Sequence, residues 1–176
     1  RLLHTNIAGS ALFAAISGSS AATTATVGKI TISELGKRGY SKSLTYGSLA
    51  GAGSLGLLIP PSIVMIVYGV LAEVSIARLF AAGVFPGIMI ACLYSGYVII
   101  ASLINPTVAP PDRDKPGWKD AAVGLFNLIP IAILIFIVLG SIYSGIATPS
   151  EAAAVGVVAT LVMTILTRQM TKNIFF

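Results

Sequence analysis

Two short stretches hold the residues with chemistry to offer. Ser17-Gly18-Ser19-Ser20 interrupts one long apolar run, and Gly56 with Pro60-Pro61 interrupts the next. At the first, the hydroxyls of Ser17, Ser19 and Ser20 lie beside the carbonyls that a helix end leaves without partners. At the second, the argument is hydrogen-bond accounting. A helical carbonyl at residue i accepts from the amide at i+4, and proline has no amide hydrogen, so the carbonyls of Gly56 and Leu57 lose their partners. Inside a bilayer each loss costs several kcal/mol, and a side chain, a water or a bound cation must replace the bond. Hard cations prefer such oxygens, and the absence of a carboxylate from either break favours sodium over a divalent ion. A helix beginning near Ala21 also turns its positive end toward the first break. Ser19, Ser20 and Ala21 are therefore candidates for holding an anionic substrate group.

Each break has a plainer reading. Gly and Ser permit close helix packing, and Pro can simply kink a crossing; Gly47 and Gly51, in GxxxG spacing, are read as packing. Two breaks in successive segments favour a site. Thr148-Pro149-Ser150-Glu151 reads as a helix start, with Thr148 as cap, Pro149 at the first position and Glu151 completing a capping box. Glu73 and Arg78 read as solvated or paired interfacial charges. His4 carries no functional argument.

Other chemistry is excluded by what the chain contains. One cysteine, Cys92, and one histidine cannot build a zinc site or an internal disulfide. No nucleophile, base and orienter set is suggested, and no HExxH or P-loop pattern occurs. SGSS is not GxSxG, and no intramembrane histidine is present to complete a serine dyad. The expectation is a protein that is not an enzyme and needs no cofactor.

The elements that must carry these breaks follow from composition. Of 176 residues, 56% are hydrophobic and 10% charged, too little polar surface for a soluble domain of this size. A crossing needs about 20 apolar residues. The apolar pattern predicts an all-α membrane protein with a re-entrant helical hairpin over 1–33, a cytoplasmic loop over 34–43 and a broken transmembrane helix over 44–71. A crossing follows over 76–104, then a cytoplasmic connector over 105–120 with Trp118 suited to the interface. Crossings over 121–143 and 149–167 and a cytoplasmic tail over 168–176 complete it. The chain begins at Arg1 with no signal segment and is read as a piece of a longer protein.

The formal charge of +5 does not point to nucleic acid, because Lys and Arg cluster in short loops rather than along one face. They obey the positive-inside rule instead. With the hairpin entering from the cytoplasm, Lys37, Arg38 and Lys42, then Arg113, Lys115 and Lys119, then Arg168 and Lys172 all fall inside, while the opposite loops hold one cation between them.

ISGSSAATTATVG, KRGYSK, GSLGLLIPPSIVMIVYG and IYSGIATPSEAAAVG, in this order and spacing over nearly the whole chain, resemble the large permease subunit of TRAP (tripartite ATP-independent periplasmic) transporters. The resemblance implies an elevator-type ion transporter fold of inverted repeats, each with a hairpin and a broken helix, of which this chain carries the first. It implies a sodium ion between Ser17 and Ser19 at the hairpin tip and the backbone at Gly56, Ile59 and Pro61. It further implies a small membrane subunit, a periplasmic substrate-binding protein and organic acid substrates such as C4-dicarboxylates or sialic acid. The setting it implies is the bacterial inner membrane with its lipid, and the energy source is a sodium gradient. The competing expectation is a channel-like or scaffold subunit with no ion site of its own.

Overall fold

The computed structural model describes residues 2–110 and 117–166, and among them every regular element is helical. The described residues form two compact units, 2–110 and 117–166.

In the first unit, α1 (Leu2–Ser17) and α2 (Ser20–Lys37) form a helical hairpin. Its turn is two residues long for reasons visible in both. Gly18 adopts φ +58°, the left-handed conformation in which a helix is stopped without side-chain cost, and its amide still reaches Ala14 O at 2.9 Å. Ser19 is extended and caps α2, its hydroxyl accepting from Ala22 N at 3.3 Å. The polar segment expected as a loop over 34–43 is shorter than that. Glu34 to Lys37 stay in α2, where Arg38 Nε meets Glu34 Oε1 at 2.8 Å across one turn and a basic last turn suits the helix end. Gly39, at φ +76°, then turns the chain. Ser41 accepts from Leu44 N at 3.3 Å to cap α3 (Lys42–Gly53).

The broken element is α3, a 3₁₀ turn at Ser54–Leu57, a non-helical link through Ser62, and α4 (Ile63–Leu71). At 12 and 9 residues, neither half alone reaches the roughly 20 that a crossing requires. The Pro60-Pro61 peptide is cis. Ser75 caps α5 (Ile76–Ile104), whose 29 residues run past Pro86 unbroken, and a 3₁₀ turn at Pro106–Val108 leads back, with Ser41 N bonded to Val108 O at 3.1 Å. Leu3, Ile7 and Ala14 of α1 join Leu35, Leu44, Ala52, Leu55 and Val98 in one core.

In the second unit, α6 (Trp118–Tyr143) packs on α7 (Pro149–Leu166). The helix thus begins at Trp118, inside the segment expected as connector. Gly156 permits the close approach, since a Cβ there would lie 3.1 Å from Val138 Cγ2. The capping box is formed: Thr148 N donates to Glu151 Oε2 at 2.7 Å, and Glu151 N reaches Thr148 Oγ1 at 3.4 Å. The expected tail over 168–176, and Arg113 and Lys115 of the connector, lie outside the described residues.

Ile76–Ile104, Val123–Tyr143 and Pro149–Leu166 are each long and apolar enough to cross a membrane. Their flanks expose large apolar side chains, Phe85 at 74%, Leu103 at 72% and Phe136 at 79%, which suits lipid rather than water. The chain is an all-α membrane protein.

Candidate functional site: the hairpin tip against the broken helix

The two breaks singled out in the sequence meet in space. Gly18, at the hairpin tip, presents its carbonyl to Ile63 N at 3.2 Å, so the tip satisfies the first amide of α4. The approach leaves no room for a side chain: a Cβ on Gly18 would lie 2.6 Å from Pro61 O. From the other side Gly56 closes on the same turn, where a Cβ would lie 2.8 Å from both Ser19 C and Ser20 N. Gly53 admits the Thr24 side chain in the same way. α5 backs the assembly, with Gly87 against Ile59 and Gly83 against Leu58 O and Met65.

The hydrogen-bond accounting can now be completed. Of the two carbonyls that Pro60 and Pro61 strip of partners, Leu57 O is repaired by Ser62, whose buried hydroxyl donates to it at 2.9 Å. Gly56 O is not repaired. Among the described residues no hydrogen bond is made to the carbonyls of Gly56, Ile59 or Pro61. The carbonyls of Leu58 and Pro60 in the same break likewise accept no hydrogen bond among the described residues, so these three oxygens are among five that are open to a ligand.

On the hairpin side the hydroxyls are held in place. Ser17 Oγ lies 3.0 Å from Thr23 Oγ1, which in turn donates to Ser19 O at 2.8 Å. Ser19 N approaches Ser17 Oγ at 3.4 Å. Ser19 Oγ, spent as an acceptor on Ala22 N, keeps a second lone pair. Ser20 and Ala21 open α2, Ser20 with its amide against Gly56 and Ala21 exposed. Thr23, fully buried, was not picked out in the sequence. Its signal was its place one turn after the cap Ser19, where a threonine hydroxyl returns to the carbonyl four residues back. Ser62 was missed too, although a hydroxyl directly after Pro60-Pro61 is well placed to repair a stripped carbonyl.

Electrostatically the site is made of dipoles rather than charges. Two elements end here with carbonyls forward, α1 and the α3 segment; two begin here with amides forward, α2 and α4. Partial negative charge thus faces partial positive charge across one small region. Among the described residues no group of three His, Cys, Asp or Glu side chains could hold a metal ion. The oxygens on hand are carbonyls and hydroxyls, a set suited to a monovalent hard cation.

Comparison with known proteins gives a consistent result. Residues 2–174 match the family described as tripartite ATP-independent periplasmic transporter, DctM component. The chain is 44% identical over 148 residues to the C4-dicarboxylate TRAP transporter large permease protein DctM of Vibrio cholerae, covering 84% of this chain and 32% of that protein. It is 36% identical over 156 residues to the ectoine/5-hydroxyectoine TRAP transporter large permease protein UehC of Ruegeria pomeroyi, covering 88% and 36%. To the sialic acid TRAP transporter permease protein SiaT of Haemophilus influenzae it is 34% identical over 164 residues, covering 91% and 26%. The chain spans about a third of the length of the first of these curated relatives.

Proposed function

We propose, from the premise that this chain belongs to the TRAP transporter family as its DctM component, that it forms part of a sodium-coupled secondary importer of organic acids. Relatives named for C4-dicarboxylates, ectoine and sialic acid support that class of substrate. In this reading the subunit sits in the bacterial inner membrane as a multi-pass protein, with α1–α2 as a re-entrant hairpin in an elevator-type carrier. It works with a small membrane subunit and a periplasmic substrate-binding protein that delivers the acid.

The observation that carries the proposal is the direct seating of the hairpin tip on the break, through Gly18 O to Ile63 N and Gly56 against Ser19 and Ser20. Sodium is taken by the carbonyls of Gly56, Ile59 and Pro61 with the hydroxyls of Ser17 and Ser19. Thr23 orients both serines. The first turn of α2, at Ser19, Ser20 and Ala21, offers amides to a substrate carboxylate. Cation and acid then bind close together, each reducing the electrostatic cost of the other, which makes binding of one depend on the other.

The test is uptake of labelled organic acids into vesicles holding the complete subunit and its partners, with and without an inward sodium gradient. Uptake that requires both sodium and the binding protein supports the carrier. Uptake that ignores sodium and follows protons or ATP removes the proposed ion site, and a sodium-independent flux far above carrier rates favours a channel-like subunit.

A further inference from the structure

Along the chain, α5 grips the broken helix both before and after Gly56. After it, Gly83 lies against Leu58 O and Gly87 against Ile59. Before it, the contact is Tyr94, which lies seven residues beyond Gly87 and so on the same face of α5. The phenol end of Tyr94 sits on Gly51, where a Cβ would lie 3.2 Å from Tyr94 Cζ and 3.4 Å from Cε1 and Cε2. Gly47, the other member of the GxxxG spacing, has nothing within 4 Å of its Cβ position. Of that pair, then, Gly51 makes the close contact, and it makes it with Tyr94.

The Tyr94 hydroxyl also lies 3.4 Å from Ser54 Oγ. Ser54 settles the direction of this bond, because it gives its own hydrogen to Gly51 O at 2.7 Å. Tyr94 therefore donates and Ser54 accepts, in a chain that runs from Tyr94 through Ser54 to the last turn of α3. Among the described residues this is the one hydrogen bond from α5 to residues 54–62. The contacts at Gly83 and Gly87 fit shape alone, since a glycine brings no polar side chain.

Ser54 opens the 3₁₀ turn that contains Gly56. Such a turn is short and its hydrogen bonds are poorly aligned, so its direction depends on what holds its ends. The hairpin tip presses on it at Gly56, and Leu58 N and Ile59 N close its far end on Leu55 O at 3.0 and 2.8 Å. Tyr94 holds its start.

We propose that Tyr94 is a positioning residue for the cation. By fixing Ser54 it sets where the turn leaves α3, and with that the direction of the open Gly56 carbonyl. The assignment rests on the sodium site proposed above. Tyr94 acts through Ser54 rather than on the ion, and its contribution is preorganisation, because a carbonyl already held in its binding direction costs less to order when the ion arrives.

The test is thermal melting of the purified complete subunit with its membrane partner as sodium chloride replaces choline chloride at constant total salt. Sodium that binds the folded protein raises the melting temperature, and the sodium dependence of that rise reports affinity, while the value in choline alone reports the fold. Tyr94→Phe keeps the ring on Gly51 and removes one donor. It is expected to weaken apparent sodium affinity about two- to fivefold, the span of a weak neutral hydrogen bond, with little change in choline. Tyr97→Phe is the control, since Tyr97 is 65% exposed and makes no hydrogen bond to the break among the described residues; it is expected to match the wild type. On a Ser54→Ala background, which lacks the acceptor, Tyr94→Phe is expected to weaken sodium affinity no further. Unchanged sodium affinity in Tyr94→Phe overturns the assignment, whether or not the melting temperature in choline falls, and so do additive losses in the double variant. A wild-type protein that sodium stabilises no better than choline removes the ion site itself and the role of Tyr94 with it, an outcome distinct from a sodium-stabilised wild type whose Tyr94→Phe variant is unaltered.

Discussion

Gly56→Ala puts the proposed site to its most direct test. The new Cβ would stand 2.8 Å from Ser19 C and Ser20 N and 3.0 Å from Ser19 O. Unstrained contacts of this kind lie at about 3.5–4.0 Å, so tip and break must part by roughly 0.7 Å. Neither side yields easily, because every opposing atom is backbone. The tip is tied by Gly18 O to Ile63 N, by the Ser19 cap and by Thr23 on Ser19 O. Overpacking of this size costs about 1–3 kcal/mol. Charged to the geometry that binds sodium, it raises the half-saturating sodium concentration roughly 5- to 150-fold, at about 1.4 kcal/mol per factor of ten. The assay is sodium-dependent uptake in proteoliposomes with the complete subunit and its partners, at equal reconstituted amounts. Gly36→Ala is the control: nothing lies within 4 Å of its Cβ position, and its sodium dependence is expected to match the wild type. A Gly56→Ala subunit with an unchanged half-saturating concentration refutes the ion site, even if its maximal rate falls.

Ser62→Ala leaves Leu57 O without its partly buried hydrogen bond, with an expected stability loss of about 1 kcal/mol; an unchanged melting temperature of the purified complete subunit would show that this carbonyl finds another donor. Ser19→Gly keeps most of the helix-capping preference, at a few tenths of a kcal/mol, but removes a proposed ligand. Its sodium requirement should rise while its melting temperature barely moves, and a wild-type requirement would take Ser19 out of the ligand set. Thr148→Ala breaks the capping box of α7 at a cost of about 1 kcal/mol, read by thermal melting, with sodium dependence unchanged. A shift in sodium dependence there would tie α7 to the site, against the reading of Thr148 and Glu151 as structural.

The two breaks were legible because both announce themselves through residue types with one dominant physical effect. Gly18 stops a helix, Ser19 starts one, and Pro60-Pro61 strips carbonyls; none of these needs tertiary context. The capping box at Thr148 was legible for the same reason. Helix ends governed by weaker forces were less so. Glu34 to Lys37 look like a loop by composition, yet α2 continues through them, with Leu35 buried in the core and Glu34 paired with Arg38, and α6 begins at Trp118 rather than within its apolar run. Thr23 and Ser62 escaped notice because their roles depend on which carbonyl lies nearby, and only the fold fixes that.

The charge layout bears on how the proposed ion site can be built without a formal charge. A carboxylate at this depth would attract sodium strongly, but it would also repel the anionic substrate and resist desolvation whenever the ion left. Helix ends avoid both problems, since each offers roughly half a charge that is fixed in the backbone and needs no counter-ion. Under the proposed function the C-terminal ends of α1 and the α3 segment are turned to the cation, and the N-terminal end of α2 to the anionic substrate. Because the four ends meet where Gly18 touches the Pro61–Ile63 link and Gly56 touches Ser19 and Ser20, a shift of the hairpin relative to the break alters both proposed half-sites together. Under the proposed function this gives sodium and organic acid a common structural element to bias, which coupled binding requires. It also places the demand for glycine at positions 18 and 56, where a single added methyl would separate the two halves.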